Sequence, residues 1–368
     1  TGLSWRCDVL TEKSVRKLAS EWQDLAENAV EKNIFQLPNF IFHSLPLLSS
    51  QDPHIVTIRQ DGLVIGLAIL RRDLGYAKLP VPFWKSASHP EQYLGSPLVR
   101  AGYEQEFTAG LTAWLDRSPA QICFLQLNKL AGDGAVANAL LNQCRSDHRA
   151  VLIAERHQRA AIRPNTRVGS ADHSHLSVSR RKSIRRARKR LEAMGELSIE
   201  RLSEGDQLSD WTDQFLAMEN TGWKKEASSS ILSCRHETAL YQATIPEAFE
   251  SGNLNLTRLC LDGKPIAFTL DILSSSIGYC LKSAIHPDFR KFSPGVLMEF
   301  ETLKYYSQRP DLRLIDSCTH PDNAMLNELW PDKRTTLDLA IGRRGIAYEA
   351  VFKVIQSAKV LLRRFAND

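Results

Sequence analysis

The sequence predicts an α/β (α+β) fold made of two tandem units, each a mixed sheet covered by helices. Three observations carry this expectation. The first is a repeated hairpin. His54 to Leu70 is an apolar, β-branched run that turns at Asp61-Gly62 and continues apolar, and Asn255 to Leu270 does the same around Asp262-Gly263, an offset of 201 residues. Asp-Gly between two strand-like runs favours a tight turn, because both central residues need positive φ. The second is a helical stretch containing Trp before each hairpin, Leu18 to Val30 around Trp22 and Leu208 to Met218 around Trp211. The third is length: 368 residues can bury two cores at roughly 150 residues per domain.

The remaining elements follow in order. The stretch from Ala160 to Ser179 is rich in Pro, Gly, Ser, Asn and His without a sustained period, which marks a boundary. A long helix from Arg180 to Met194 follows, closed by Gly195 as the left-handed residue past its end. After the second hairpin come a strand (Ile277 to Ala284), a loop, a helix (Val296 to Ser307) and a strand (Leu312 to Ser317). The last helix, Ala347 to Phe365, sets Val351, Phe352, Ile355, Leu362 and Phe365 on one side. The expected division is therefore 1–165, 166–346, and a basic amphipathic helix at 347–368.

Composition narrows the class. Hydrophobic residues make up 43%, charged residues 24%, and the mean hydropathy is −0.27, the balance of a globular protein in water. No run reaches the ~18 apolar residues of a membrane span. Thr1 to Leu10 carry Arg6 and Asp8 and lack the apolar centre of a secretory signal. The seven cysteines contain no Cys-x-x-Cys pair, so neither a zinc knuckle nor a disulfide framework is expected. The expectation is a cytoplasmic protein, at most peripheral at the inner membrane face. The net charge of +5 is local: Arg180 to Arg190 holds eight basic residues and no acid, and the rest of the chain has 39 basic against 42 acidic residues. Such a run reads as a solvated face, a contact for RNA phosphates or a contact for anionic lipid. Without interleaved aromatics, base stacking is not expected.

One loop carries the main chemical signal. Between Ser283 and Glu299 a strand ends, small and basic residues follow, and an apolar-periodic helix begins at once. Free backbone N–H groups and the positive end of a helix favour a phosphate, and small residues let the backbone approach it. Arg290, Lys291, Phe292, Ser293, Gly295 and Val296 are the candidate diphosphate-binding residues.

The order Arg290-x-x-Ser293-x-Gly295 resembles the Arg/Gln-x-x-Gly-x-Gly/Ala loop of the GNAT superfamily of N-acetyltransferases, which wraps the pyrophosphate of acetyl-CoA; Ser293 stands where that pattern has its first Gly. The closer resemblance is to the CelD-like (BcsL-like) branch, with two GNAT-like units in one chain. It rests on Gly222-Trp223-Lys224, Ser293-Pro294-Gly295, Asp316-Ser317-Cys318 and Leu329-Trp330, in that order, and on Phe35 to Phe40 and Tyr93 to Leu98 in the first half. The FemABX transferases, which take aminoacyl groups from transfer RNA, have a similar two-unit fold. The resemblance implies acyl transfer from acyl-CoA, as co-substrate and without a metal, to an amine that it does not specify; the preferred acceptor is an amine on an envelope precursor, either an amino lipid such as a sphingoid base or an exopolysaccharide amino sugar. Basic helices similar to Arg180 to Arg190 appear across CelD-like sequences, which favours a family feature over nucleic acid.

Acyl transfer from a thioester needs a neutral amine, a donor for the developing oxyanion and a proton for the departing thiolate. Asp316, Cys318 and His320 lie where the strand after the phosphate-loop helix should end, and strand ends place the sites of open α/β sheets. Asp316 or His320 could take the amine proton, or Asp316 could simply cap a turn; Cys318 could be acylated or structural. Lys282, alone in an otherwise nearly uncharged strand, must snorkel or pair, with Asp271 as one partner. Tyr279, Tyr305 or Tyr306 could protonate the thiolate. Glu219, Trp223, Lys224 and Tyr279 are the candidate acceptor residues, with Trp223 as a core anchor the alternative. Two rival readings remain: an aminoacyl-tRNA-dependent transferase of the FemABX kind, and a non-catalytic envelope-assembly partner.

Overall fold

A computed structural model describes residues 2–164 and 175–367. The side chains of Trp223, Lys224 and residues 360–367 lie outside the described residues. The chain forms two compact units, 1–157 with 335–368, and 158–334.

The first unit contains β1 (Leu3–Val9), α1 (Glu12–Glu27), α2 (Pro38–Leu48), β2 (His54–Gln60), β3 (Leu63–Tyr76), β4 (Leu79–Ser86), β5 (Leu98–Val99), α3 (Glu104–Asp116), β6 (Phe124–Ala131), α4 (Ala135–Ser146) and the start of β7 (Val151–Ile162). Strands β1 to β4 form an antiparallel meander, and β4 then pairs β6 in parallel. Trp84, Phe107, Leu111 and Trp114 fill the core between this sheet and α3.

The second unit contains the end of β7, α5 (Val178–Glu192), β8 (Leu197–Arg201), α6 (Leu208–Glu219), α7 (Gly222–Glu226), α8 (Arg235–Glu250), β9 (Leu254–Leu261), β10 (Lys264–Ser274), β11 (Ile277–Ile285), α9 (Pro294–Ser307), β12 (Leu314–Asp316), α10 (Ala324–Leu329) and the start of β13 (Asp332–Gly342). Its sheet order is β7-β12-β11-β10-β9-β8. Strands β8 to β11 are antiparallel, β12 is parallel to β11, and β7 is antiparallel to β12. Ala267 of β10 belongs to the cluster packed by α5 and α9, whereas Phe268, the next residue, meets Trp211 and Phe215 of α6. Period-two alternation thus separates a face under α9 from a face under α6 and α8.

Both expected hairpins form, β2 with β3 and β9 with β10. Asp61 (φ 49°) with Gly62 (φ 87°), and Asp262 (φ 48°) with Gly263 (φ 73°), hold the paired positive φ values that the turn requires. The fold departs from the sequence reading at the chain's end. Residues 347–368 are not a separate segment. α11 (Ile346–Asn367) belongs to the first unit, where Phe352 and Ile355 pack with Phe83 and Phe124. β13 joins it there by pairing antiparallel with β6. Gly195 is not left-handed: α5 ends earlier, and Gly195 instead fits against Asp262, whose carboxylate accepts the Glu196 N–H at 2.7 Å.

Candidate active site

The loop after β11 shortens into a 3₁₀ turn, Pro287–Phe292, and α9 starts at once behind it. Ser293 is the residue before the helix, in the left-handed region at φ 59°, ψ 46°, and Pro294 takes the first helical position, where a missing N–H costs nothing. Arg290, Lys291 and Ser293 are exposed, while Phe292, Gly295 and Val296 are half-buried. The Lys291 ammonium lies over the Phe292 ring, 5.2 Å from its centroid. Beside this tip a groove of about 260 Å³ is lined by Glu219, Gly222, Ser283, Ile285 and Arg290, among others. It joins two groups of residues that are more than sixty positions apart in the sequence, the end of α6 with the start of α7, and the end of β11 with its loop.

The strands beside the groove part early. β11 and β12 pair only from Ile277 to Tyr279, after which β11 runs on to Ile285 against β10 alone. The split is accompanied by a bulge. Leu270 pairs Lys282 and Asp271 pairs Cys280, so Leu281 is the extra residue on β11. The bulge reverses the side-chain alternation. Cys280 faces α9 with Asp271, and Lys282 faces α8, where its ammonium lies 5.9 Å from the Tyr241 ring centroid. The expected Lys282–Asp271 pair therefore does not form. Asp271 instead accepts from Asn255 (2.9 Å) and from the Tyr306 hydroxyl (2.7 Å).

At the end of β12, Asp316 is completely buried. Arg159 of β7 grips both carboxylate oxygens, at 2.6 and 2.7 Å, Arg334 of β13 donates to one at 2.6 Å, and the Cys318 N–H donates to the other at 3.0 Å. Burial opposes the charge, and the two guanidiniums outweigh it, so the carboxyl is held below its usual range. A carboxylate saturated in this way is a poor proton acceptor. It does form a buried cluster of net charge +1 with Arg159 and Arg334, and the Arg334 Nε has no partner among the described residues. Neither arginine is among the sequence candidates. The only signal is the position of Arg159 before the apolar run Ala160-Ala161-Ile162.

The other candidates separate. Tyr279 is buried beside Arg334, and burial pushes its hydroxyl pKa up. Burial, reinforced by the Asp316 charge, pushes the Cys318 thiol well above its ordinary value, so it is not a thiolate nucleophile. His320 is exposed and lies 3.5 Å from Asp322, away from the cluster. Glu219 is 1% exposed and accepts from the Ile231 N–H at 2.8 Å. Trp223 and Lys224 follow it on α7, but their side chains are outside the described residues. One titratable group was not foreseen. Glu299, on the α9 face that includes Gly295 and Tyr306, is buried, and that burial with the nearby Asp271 charge raises its carboxyl pKa to about 8.

Residues 178–324 match the family model of the acetyltransferase (GNAT) domain. No curated protein matches the chain. Among solved structures, FemX is similar at 12% identity, covering 95% of this chain and 99% of that one with a TM-score of 0.54. The C-terminal domain of a putative lysylphosphatidylglycerol synthetase from Agrobacterium fabrum is similar at 10% identity, covering 93% and 96%, with a TM-score of 0.54. A tandem GNAT protein from the clavulanic acid biosynthesis pathway is similar at 14% identity, covering 93% and 99%, with a TM-score of 0.43. At these identities the first two show a shared fold.

Proposed function

We propose that the second unit is an N-acyltransferase that takes its acyl group from acyl-CoA. The single observation that carries this reading is the start of α9: a left-handed Ser293, a proline at the first helical position, and Arg290 on the adjoining groove, a combination that suits a diphosphate. The family match over residues 178–324 supports the same reading. The carrier's thioester end would lie along the part of β11 that β12 no longer covers, toward the point where β11 and β12 part. The acceptor amine would attack the thioester carbonyl and give up a proton as the C–S bond breaks, and the thiolate would leave as the protonated thiol. Glu219, lining the groove, would hold the acceptor's ammonium group before attack. Asp316 acts by positioning: with Arg159 and Arg334 it fixes the end of β12.

The acceptor we favour is an amine on an envelope precursor, an amino lipid or an amino sugar. On α5, Lys182, Arg185, Arg186, Lys189 and Arg190 are exposed, which suits contact with an anionic lipid surface. The test is thermal stability with acetyl-CoA, palmitoyl-CoA and free CoA. A ligand at ~100 times its Kd adds ~2.7 kcal/mol to stability. A shift with a thioester supports the reading. No shift with any of the three, together with salt-dependent binding of aminoacyl-tRNA, would replace it with a FemX-like transferase.

A further inference from the structure

The first unit repeats the parting of parallel strands seen in the second. β4 and β6 pair only at Trp84–Leu125 and Lys85–Gln126, and then separate. The segment after β4 folds back over the gap: the Gly95 N–H donates to the Lys129 carbonyl (2.9 Å), the Ala131 N–H to the Ser96 hydroxyl (2.9 Å), and the Lys129 ammonium to the Gln92 carbonyl (2.8 Å). Beneath it lies a small cavity lined by Gln36, Ser86, Ser88, Gln92, Asn128 and Lys129, with apolar side chains of β3 and β6 closing the rest.

The polar chemistry of this cavity is unbalanced. The Oε1 atoms of Gln36 and Gln92 and the Oδ1 of Asn128 are buried with no hydrogen-bond partner among the described residues. Gln36 is 3% and Gln92 2% exposed. The Asn128 amide cannot simply turn round, because its Nδ2 donates to Asp338 at 2.6 Å, and Asp338 also accepts the Lys129 N–H at 2.8 Å. That second bond pins Lys129 in the left-handed region at φ 50°. Buried amide oxygens left without donors are costly, so three around one cavity point to a donor-bearing group. With about 10 Å³ of free volume, the space admits one water-sized group.

We propose that this cavity is a second ligand site, independent of the acyl-CoA site, and that it takes a hydroxyl of a neutral sugar. The hydroxyl shares its one proton between the Gln36 and Gln92 amide oxygens and accepts from Lys129, whereas an ammonium would meet the Lys129 charge. The ring would remain outside the cavity, with one hydroxyl or hydroxymethyl group inserted.

The experiment is ligand-observed saturation-transfer NMR on the full chain, with N-acetylglucosamine, glucose and ethanolamine as probes. A saturable signal from the sugars and none from ethanolamine is expected. Gln92→Met and Gln36→Met, each removing one acceptor, should weaken sugar binding about tenfold. Circular dichroism checks that both variants fold; should one not, the other carries the comparison. The acetyl-CoA thermal shift should be the same in wild type and both variants, which separates this site from the one in the second unit. No saturable sugar signal would mean that the cavity holds only water and would overturn the proposal. Preferential binding of ethanolamine, or unchanged sugar affinity in the variants, would overturn it equally.

Discussion

Asp316 and Arg334 lie 2.6 Å apart in the interior of the second unit, with 0% and 3% of their side chains exposed. Arg159, 9% exposed, closes the cluster from β7. Two arginines on one carboxylate make its loss asymmetric. Removing Asp316 leaves two buried cations facing each other, while removing one arginine leaves a neutral pair. Breaking such a cluster costs about 3–5 kcal/mol. Asp316→Asn should therefore unfold at markedly lower temperature than wild type, and more readily than Arg334→Met. Calorimetry of the two variants checks the order. If Asp316→Asn keeps its stability but loses turnover with an altered pH profile, Asp316 is a proton acceptor after all.

Glu299 gives the second unit a pH dependence of definite sign. Its carboxyl is raised to about 8 in the folded protein by burial and by the nearby Asp271, whose own carboxyl burial also raises. Between the ordinary carboxylate value and 8, the folded chain keeps a proton that the unfolded chain has lost. Stability then falls as pH rises, by up to about 1.4 kcal/mol per pH unit in that window. Glu299→Gln should flatten this slope and melt at a higher temperature than wild type at pH 8. The check is a Tm series from pH 5 to pH 9 for both proteins, where parallel slopes would show that Glu299 does not titrate as described.

His89 works on the acid side in the first unit. It is 5% exposed, stacked on Phe40 at 5.9 Å, and burial lowers its pKa to about 4. The unfolded chain binds a proton near pH 6.5 that the folded chain refuses, so stability is lost as pH falls from there toward 4. An NMR titration should show the His89 ring still unprotonated at pH 5.5.

The sequence makes legible whatever is set by neighbours along the chain. The Asp61-Gly62 and Asp262-Gly263 turns are local chemistry, and so is the start of α9 at Ser293-Pro294. The Arg159–Asp316–Arg334 cluster is not local. Its members are 157 and 18 residues apart, and three strands must pair before they meet. Lys282 shows a subtler limit. Alternation along β11 would place it beside Asp271, but the extra residue Leu281 turns it to the other face, and no pattern of residue types announces that bulge. Phe352 and Ile355 read correctly as one face of a helix, yet the sequence does not say which unit that face covers.

The exposed cations of α5 make a prediction about surfaces. Arg188 pairs with Glu301, and Arg180 lies 3.4 Å from Glu328, but Lys182, Arg185, Arg186, Lys189 and Arg190 are all exposed to solvent. Each basic side chain near an anionic bilayer contributes about 1 kcal/mol. Arg185→Glu with Lys189→Glu should sharply reduce co-sedimentation with phosphatidylglycerol vesicles and leave the negligible binding to phosphatidylcholine unchanged. Equal sedimentation of wild type and variant would assign α5 a solvated role.

Gly295 and Ile285 connect packing to ligand binding. A Cβ at Gly295 would lie 2.5 Å from the Ile285 Cδ1, and Ile285, 37% exposed, lines the groove beside Arg290. The clash is with the end of a flexible side chain, so Gly295→Ala should fold normally and push Ile285 into the groove. Acetyl-CoA affinity should then fall about tenfold, the effect of about 1.4 kcal/mol. Ile285→Ala removes the obstructing atoms, so the double variant should recover most of that loss, whereas Gly295→Trp fills the tip beyond any such rescue. Isothermal titration of wild type, Gly295→Ala, Ile285→Ala and the double variant measures the coupling directly. Additive losses in the double variant would mean that the groove does not run past Gly295.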